Sequence, residues 1–188
     1  MYHELRKRGT SRCSHSRGPI VFIIFGGLPA TGKTTLAREL ARQLGAVYLR
    51  IDTIEQAIAP TDVMSVGEAG YRVGYAVAED NLRLGRIVVA DSVNPLRITR
   101  DAWRNAAKHS GAVFIEVLVV CSDQAEHRRR VETRKTDVVA GGLVTWQDVL
   151  TREFEPWDQE HVVIDTAGQT VEKSFAALQA ALSEHREN

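Results

Sequence analysis

The chain has 188 residues and lacks net charge, paired cysteines and long apolar runs. Each absence removes a class of function. Twenty-four Lys and Arg stand against twenty-four Asp and Glu. This balance argues against a general nucleic-acid or membrane-surface binder, although it leaves room for a local basic site for a small anion. The two cysteines, Cys13 and Cys121, lie far apart and fit neither a disulfide framework nor a metal-ligand spacing. No apolar run approaches the roughly 18 residues that cross a bilayer. A soluble, cytoplasmic protein is expected. Residues 1–18, MYHELRKRGTSRCSHSRG, carry five basic residues, one acidic residue and almost no aliphatic content. No apolar segment follows the charges, so this is not a secretory signal. A disordered basic tail is expected, in preference to an RNA-binding or targeting arm. Residues 19–188 remain as one folded domain, in a chain that is 44% apolar and long enough to bury a core.

What is present is an alternation of apolar runs and helical patterns. The run IVFIIF (20–25) predicts a strand covered on both faces. Leu36, Ala37, Leu40, Ala41 and Leu44 then repeat at helical spacing, and Gly45 suits the helix end. Further strands are predicted at 46–52, 86–91, 112–120 and 161–166. Helices are expected over 53–59, from about Tyr71 to Gly85, and from Asn94-Pro95, read as cap and first turn, to about His109. Three more follow: an arginine-rich helix capped by Ser122 or Asp123, a short one over about 145–154, and a last one with Val171, Phe175, Leu178 and Leu182 on one face. Pro60–Gly67 reads as a loop. The pattern predicts an α/β fold of three layers, a five-stranded parallel sheet with helices on both faces. Ligands then bind beyond the carboxyl ends of the strands.

Between the first strand and its helix lies Gly27-Leu28-Pro29-Ala30-Thr31-Gly32-Lys33-Thr34, followed by Thr35. It fits G-x-x-x-x-G-K-[ST] at every required position and in the required context. Glycines let the backbone curl so that amides converge on a phosphate, and the helix start adds its dipole. Lys33 is expected at the β- and γ-phosphates, and the Thr34 hydroxyl on Mg²⁺. The stretch predicts a nucleoside triphosphate site.

In a sheet of order 2-3-1-4-5, Asp91 at the end of strand three falls beside Lys33 and Thr34, where a carboxylate orients the metal. Asp52, ending strand two, falls further out, where a base meets an attacking hydroxyl. Both also suit helix capping. HRRRVETRK (127–135) places Arg130 and Arg134 four apart, on one helix face, to neutralise a transferring phosphoryl group. The following Gly141-Gly142 stretch suits a lid that excludes water. The motif DTAG (165–168) follows the fifth strand rather than the third. It is therefore read as a turn near the nucleotide base, bringing in Thr166, rather than as a GTPase switch.

With RIDTIEQ (50–56), VVADSVNPLRITRDAW (88–103) and CSDQAEHRRRVETR (121–134), the cradle resembles the small P-loop kinases over about residues 19–170. The chain looks most like AAA_33-type kinase-like proteins and the phage polynucleotide 5′-hydroxyl kinase domain. It resembles gluconate kinase, chloramphenicol phosphotransferase and zeta toxin more distantly. The resemblance implies a P-loop NTPase fold with a helical lid, ATP and Mg²⁺ as cofactors, and phosphoryl transfer to a hydroxyl. On that pattern Asp52 is the general base, Asp91 in Asp91-Ser92-Val93-Asn94 the metal carboxylate, and Arg130 and Arg134 the lid arginines. A departure concerns the acceptor. Residues 53–85 hold Glu55, Asp62, Glu68, Glu79 and Asp80 against Arg72 and Arg83. That region suits a neutral or amine-bearing small molecule better than a polyanion, with Tyr71 and Tyr75 either stacking on it or filling the core. The alternatives are a polynucleotide 5′-hydroxyl kinase and a non-catalytic, ATP-binding regulatory or toxin-like module.

Overall fold

The computed structural model describes residues 21–58, 66–134 and 144–187. The basic tail, most of the Pro60–Gly67 loop with Asp62, and the Gly141-Gly142 stretch lie outside the described residues. Five strands form one all-parallel sheet in the order β2-β3-β1-β4-β5. They are β1 (Val21–Gly26), β2 (Val47–Arg50), β3 (Val88–Asp91), β4 (Val113–Val120) and β5 (Val162–Asp165). The central strand β1 is buried at all six positions, as its unbroken apolar run requires.

Seven described helices connect and flank the strands: α1 (Lys33–Leu44), α2 (Ile51–Ile58), α3 (Val66–Arg83), α4 (Arg97–His109), α5 (Gln124–Thr133), α6 (Trp146–Thr151) and α7 (Val171–Glu187). Leu36 and Leu40 of α1 pack with Leu178 and Leu182 of α7 against Ile23, Phe25 and Val117 on one face of the sheet. On the other face, Ala78 and Leu82 of α3 and Trp103 and Ala107 of α4 pack against Phe22, Ile24 and Val88. Gly45 closes α1 in the left-handed conformation. Asp123 caps α5, its carboxylate accepting from the amides of Ala125 and Glu126 at 2.9 and 3.0 Å. None of the helices among the described residues is long and apolar enough to cross a membrane.

Three local expectations are corrected. Asp52 does not end a strand: β2 stops at Arg50 and Asp52 sits in the first turn of α2. Asn94 does not cap α4, which starts at Arg97 after Leu96. Asn94 is fully buried, takes a left-handed φ of 51°, and works as a tertiary hub instead. Its Nδ2 donates to the Phe25 carbonyl, its Oδ1 accepts from Trp103 Nε1, and its backbone N–H donates to Tyr71 Oη, all at 3.0–3.1 Å. Val171 is half exposed rather than packed with Leu178 and Leu182.

The return segment after α6 is tied under the sheet's carboxyl end. Arg100, buried in α4, donates to the carbonyls of Asn94 and Pro156, at 3.2 and 2.9 Å. It also lies 5.5 Å from the Trp157 ring. That ring covers Gly26, where a Cβ would lie 2.4 Å from Trp157 Cζ2. One turn on, Arg104 makes a bidentate pair with Glu116 of β4, at 3.0 and 2.8 Å, and reaches Asp101 and Asp158. Glu116 is 1% exposed and, among the described residues, is bound only through this arginine's fork. Arg104→Met leaves that carboxylate buried and unpaired, and should lower unfolding free energy by about 3–5 kcal/mol. Adding Glu116→Leu should recover most of the loss, as read from urea midpoints of the two variants.

Candidate active site

The turn between β1 and α1 is held open by backbone geometry. Gly27 has φ 137° and sits against β4, where a Cβ would meet the Val119 carbonyl oxygen at 2.2 Å. Ala30 and Gly32 also take positive φ, 64° and 97°. Thr31 Oγ1 donates to the Leu28 carbonyl at 3.0 Å, and buried His127 donates from Nε2 to the Pro29 carbonyl at 2.8 Å. These bonds consume carbonyls on the outside of the turn. The amides of Thr35 and Leu36 donate to the Gly32 carbonyl at 3.1 and 3.2 Å, whereas those of Lys33 and Thr34, at the very start of α1, have no intrahelical acceptor.

Lys33 begins α1 and is buried. Burial pulls its ammonium below the ordinary lysine pKa. Asp91 and Asp52 oppose that shift, while Arg134 and Arg50 reinforce it. Lys33 thus stands in the fields of three groups expected around it, Asp91, Asp52 and Arg134, and of Arg50, which is not expected there. The sheet explains the meeting: β3 lies beside β1 with Asp91 opposite Phe25, and β2 lies beside β3 with Arg50 opposite Asp91. Asp52 follows two residues later and carries an ion pair with Arg50 at 3.5 Å.

Asp91 is 1% exposed. Its Oδ2 accepts from Tyr48 Oη at 2.7 Å, whereas its Oδ1 is buried without a partner. Among the described residues, no group of three or more His, Cys, Asp or Glu is arranged to hold a metal ion. One orphaned carboxylate oxygen and the Thr34 hydroxyl suit a different kind of ion. Such an ion keeps several waters and takes its other oxygens from a phosphate chain, as Mg²⁺ does. Burial, then Asp91 and its hydrogen bond, push the Tyr48 phenol well above its ordinary pKa, so it stays a donor at every physiological pH.

Above this floor a cavity of about 1390 Å³ runs across the carboxyl ends of the strands. Gly32, Lys33, Thr34, Thr35 and Thr166 line one end. Asp52, Glu55, Tyr71, Arg72, Ile98 and Arg152 line the other. The two arginines of the basic segment occupy different positions. Arg130 lies within α5 and donates to Thr166 Oγ1, the Thr166 carbonyl and Glu126, at 2.7–2.9 Å. Thr166 in turn donates to the Thr31 carbonyl at 2.8 Å. Arg134 lies one residue past α5 in extended backbone, so the two do not share a helix face. Its Nε is buried without a partner, and it lines the cavity near Lys33. Tyr71 and Tyr75 pack with Trp103, Tyr75 at 4.4 Å between centroids, as the core reading expects, and they also line the cavity.

Tyr48 and His127 are the site residues that spacing arguments do not single out, and Asn94 is singled out there only as a helix cap. Tyr48 contacts Asp91 across 43 residues and His127 contacts Pro29 across 98, so no local pattern carries them. Tyr48→Phe removes the donor that holds Asp91 Oδ2. It should lower unfolding free energy by about 1–3 kcal/mol, measured by chemical denaturation.

The model of the AAA_33 family, an AAA domain, matches residues 22–152. An adenylyl-sulfate kinase of Synechococcus sp. (strain JA-2-3B'a(2-13)) is 30% identical over 159 residues, covering 80% of this chain and 87% of that protein. Another, from Synechococcus sp. (strain JA-3-3Ab), is 28% identical over 175 residues, covering 88% and 95%. Among solved structures, a gluconokinase from Sinorhizobium meliloti superimposes with a TM-score of 0.66 at 18% identity, over 92% of this chain and 97% of that one. The Mycobacterium tuberculosis APS kinase in complex with AMPPNP and APS gives 0.67 at 18% identity, over 88% and 98%.

Proposed function

Because the chain belongs to the AAA_33 family and is a small P-loop kinase, we propose that ATP lies along the cradle and that Asp52 is the base. ATP passes its γ-phosphoryl group to a hydroxyl of a small metabolite held between α2 and α3. The observation that carries this reading is the convergence on buried Lys33 of two carboxylates, Asp91 at the end of β3 and Asp52 in the first turn of α2.

In this reading the α1 amides and Lys33 hold the β- and γ-phosphates. Magnesium, were it bound, would supply positive charge that offsets the negative charge of the phosphates. Thr34 would hold it directly and Asp91 through water, using the orphaned Oδ1. The acceptor oxygen bonds to the γ-phosphorus as the bond to the β–γ bridging oxygen breaks, and the hydroxyl proton passes to Asp52. Arg50 orients the Asp52 carboxylate. Arg134, with a free Nε on the cavity, neutralises charge on the transferring group. Arg130 and Thr166 hold the nucleotide end, where Val171 offers an exposed apolar surface to the base.

The acceptor end bears Asp52, Glu55 and Glu68 as well as Arg72 and Arg152. The three carboxylates favour a small hydroxyl compound over a polynucleotide. Adenylyl sulfate belongs among the compounds tried, because relatives bear the name adenylyl-sulfate kinase.

A coupled ADP-release assay across hydroxyl compounds tests the assignment. Asp52→Asn should lower kcat by about 10²–10⁴-fold while calorimetric affinity for ATP with magnesium is retained. Wild-type turnover in that variant removes the base assignment, and absence of heat with ATP removes the whole reading.

A further inference from the structure

We propose that Glu55 selects the acceptor, and that the acceptor is an amino alcohol whose ammonium group sits against Glu55 while its hydroxyl meets Asp52. This rests on the kinase reading above and extends it to a substrate class. Glu55 follows Asp52 by three residues on α2, so the two carboxylates share one helix face, and both line the cavity. Their circumstances differ. Asp52 has Arg50 at 3.5 Å. Among the described residues none hydrogen-bonds or ion-pairs with Glu55.

The fold makes room for this side chain. At Gly70 of α3 a Cβ would lie 2.4 Å from Glu55 Cγ, so any larger residue there would displace the Glu55 stem. The carboxylate is therefore half-buried against α3. Burial and then Asp52 push its carboxyl up to about 7, and exposed Arg152 offsets this only in part. The other charged or titratable groups lining the cavity around it are Tyr71, Arg72 and Glu68 of α3. Burial first, and then Glu55 and Asp52, help to push the Tyr71 phenol up to about 12, so it remains neutral. Arg152 acts on Glu55 only through its field, and among the described residues no cation makes an ion pair with it. An ammonium group on the acceptor supplies one, whereas an anionic acceptor adds repulsion. The acceptor's carbon skeleton has an apolar rest in Ile98, which is 73% exposed at the cavity rim.

The test uses the full chain with magnesium and ATP, and matched hydroxyl compounds differing in one amine: 2-aminoethanol against ethane-1,2-diol, serinol against glycerol, and glucosamine against glucose. The wild type should favour the amine member in kcat/KM. Glu55→Gln, which keeps the shape and removes the charge, should reduce that preference about tenfold or more, through the KM of the amine member. In the wild type, that KM should fall as pH rises through about 7, where Glu55 ionises, and the step should vanish in Glu55→Gln. Equal use of amine and neutral members, or equal losses for both in the variant, overturns the proposal. A second measurement is independent of turnover: ¹³C NMR of the Glu55 carboxyl, whose midpoint should drop on adding the amine members and not the neutral ones. No drop with any amine member also overturns it. A drop without phosphorylation of any compound would instead sink the kinase reading and leave the Glu55 contact standing.

Discussion

A lysine ammonium removed from water must be compensated, and the layout of this protein follows from how that is done for Lys33. Desolvation works against its charge, and Asp91 and Asp52 restore it. Those two residues are distant from Lys33 in the chain. Asp91 comes near it because β3 lies beside β1, and Asp52 begins the helix that follows β2, one strand further out. A sheet that ran in sequence order would place Tyr48 and Arg50 beside the cradle and would separate Asp91 from it. The crossover topology is thus an electrostatic requirement as well as a packing solution.

The same economy of partners recurs in the backbone. Four positions around the cavity, Gly27, Ala30, Gly32 and Asn94, take positive φ. For Ala30 and Asn94 that conformation is unfavourable by the order of 1 kcal/mol or more, and it persists only where neighbours over-determine it. Asn94 shows how. Its two side-chain groups, its amide and its carbonyl are all bonded, to β1, α4 and α3. Val93 beside it accepts from the Gly27 amide at 3.0 Å. The loop that follows Asp91 is therefore locked to the start of the cradle and to the wall carrying Tyr71.

The cradle was legible in the sequence because everything that makes it is local: glycines at fixed spacing, a strand before, an amphipathic helix after. The sheet order followed from the same motif, and Asp91 from the sheet order. The errors fall at the ends of elements. Asp52 was assigned to a strand because AVYLRID continues the apolar run, yet pairing with β3 ends at Arg50 and the chain turns directly into α2. Asn94-Pro95 has the composition of a helix start, yet buried acceptors and donors from three other elements claim Asn94. Arg130 and Arg134 have helical spacing, yet α5 ends between them. For Asn94 contacts across many residues outweigh a short-range preference, and such contacts leave no periodicity to read.

The separation of the two arginines also gives the cavity its asymmetry. Arg130 is bound to Thr166, and Thr166 to the Thr31 carbonyl, so this guanidinium braces the cradle against the turn after β5. Its two bonds to Thr166 and its pairing with Glu126 leave little freedom to follow a moving phosphate. Arg134, beyond the helix end, adjoins the glycine-containing stretch and keeps a buried N–H unmet. A group that neutralises charge only as it develops must be held loosely enough to reach it and must lack a stronger partner beforehand. Of the two, only Arg134 keeps a buried N–H without a partner among the described residues. Arg130 thus braces one end of the cavity before any ligand enters, whereas at the other end Asp52 is met by Arg50 and Glu55 only by the field of Arg152.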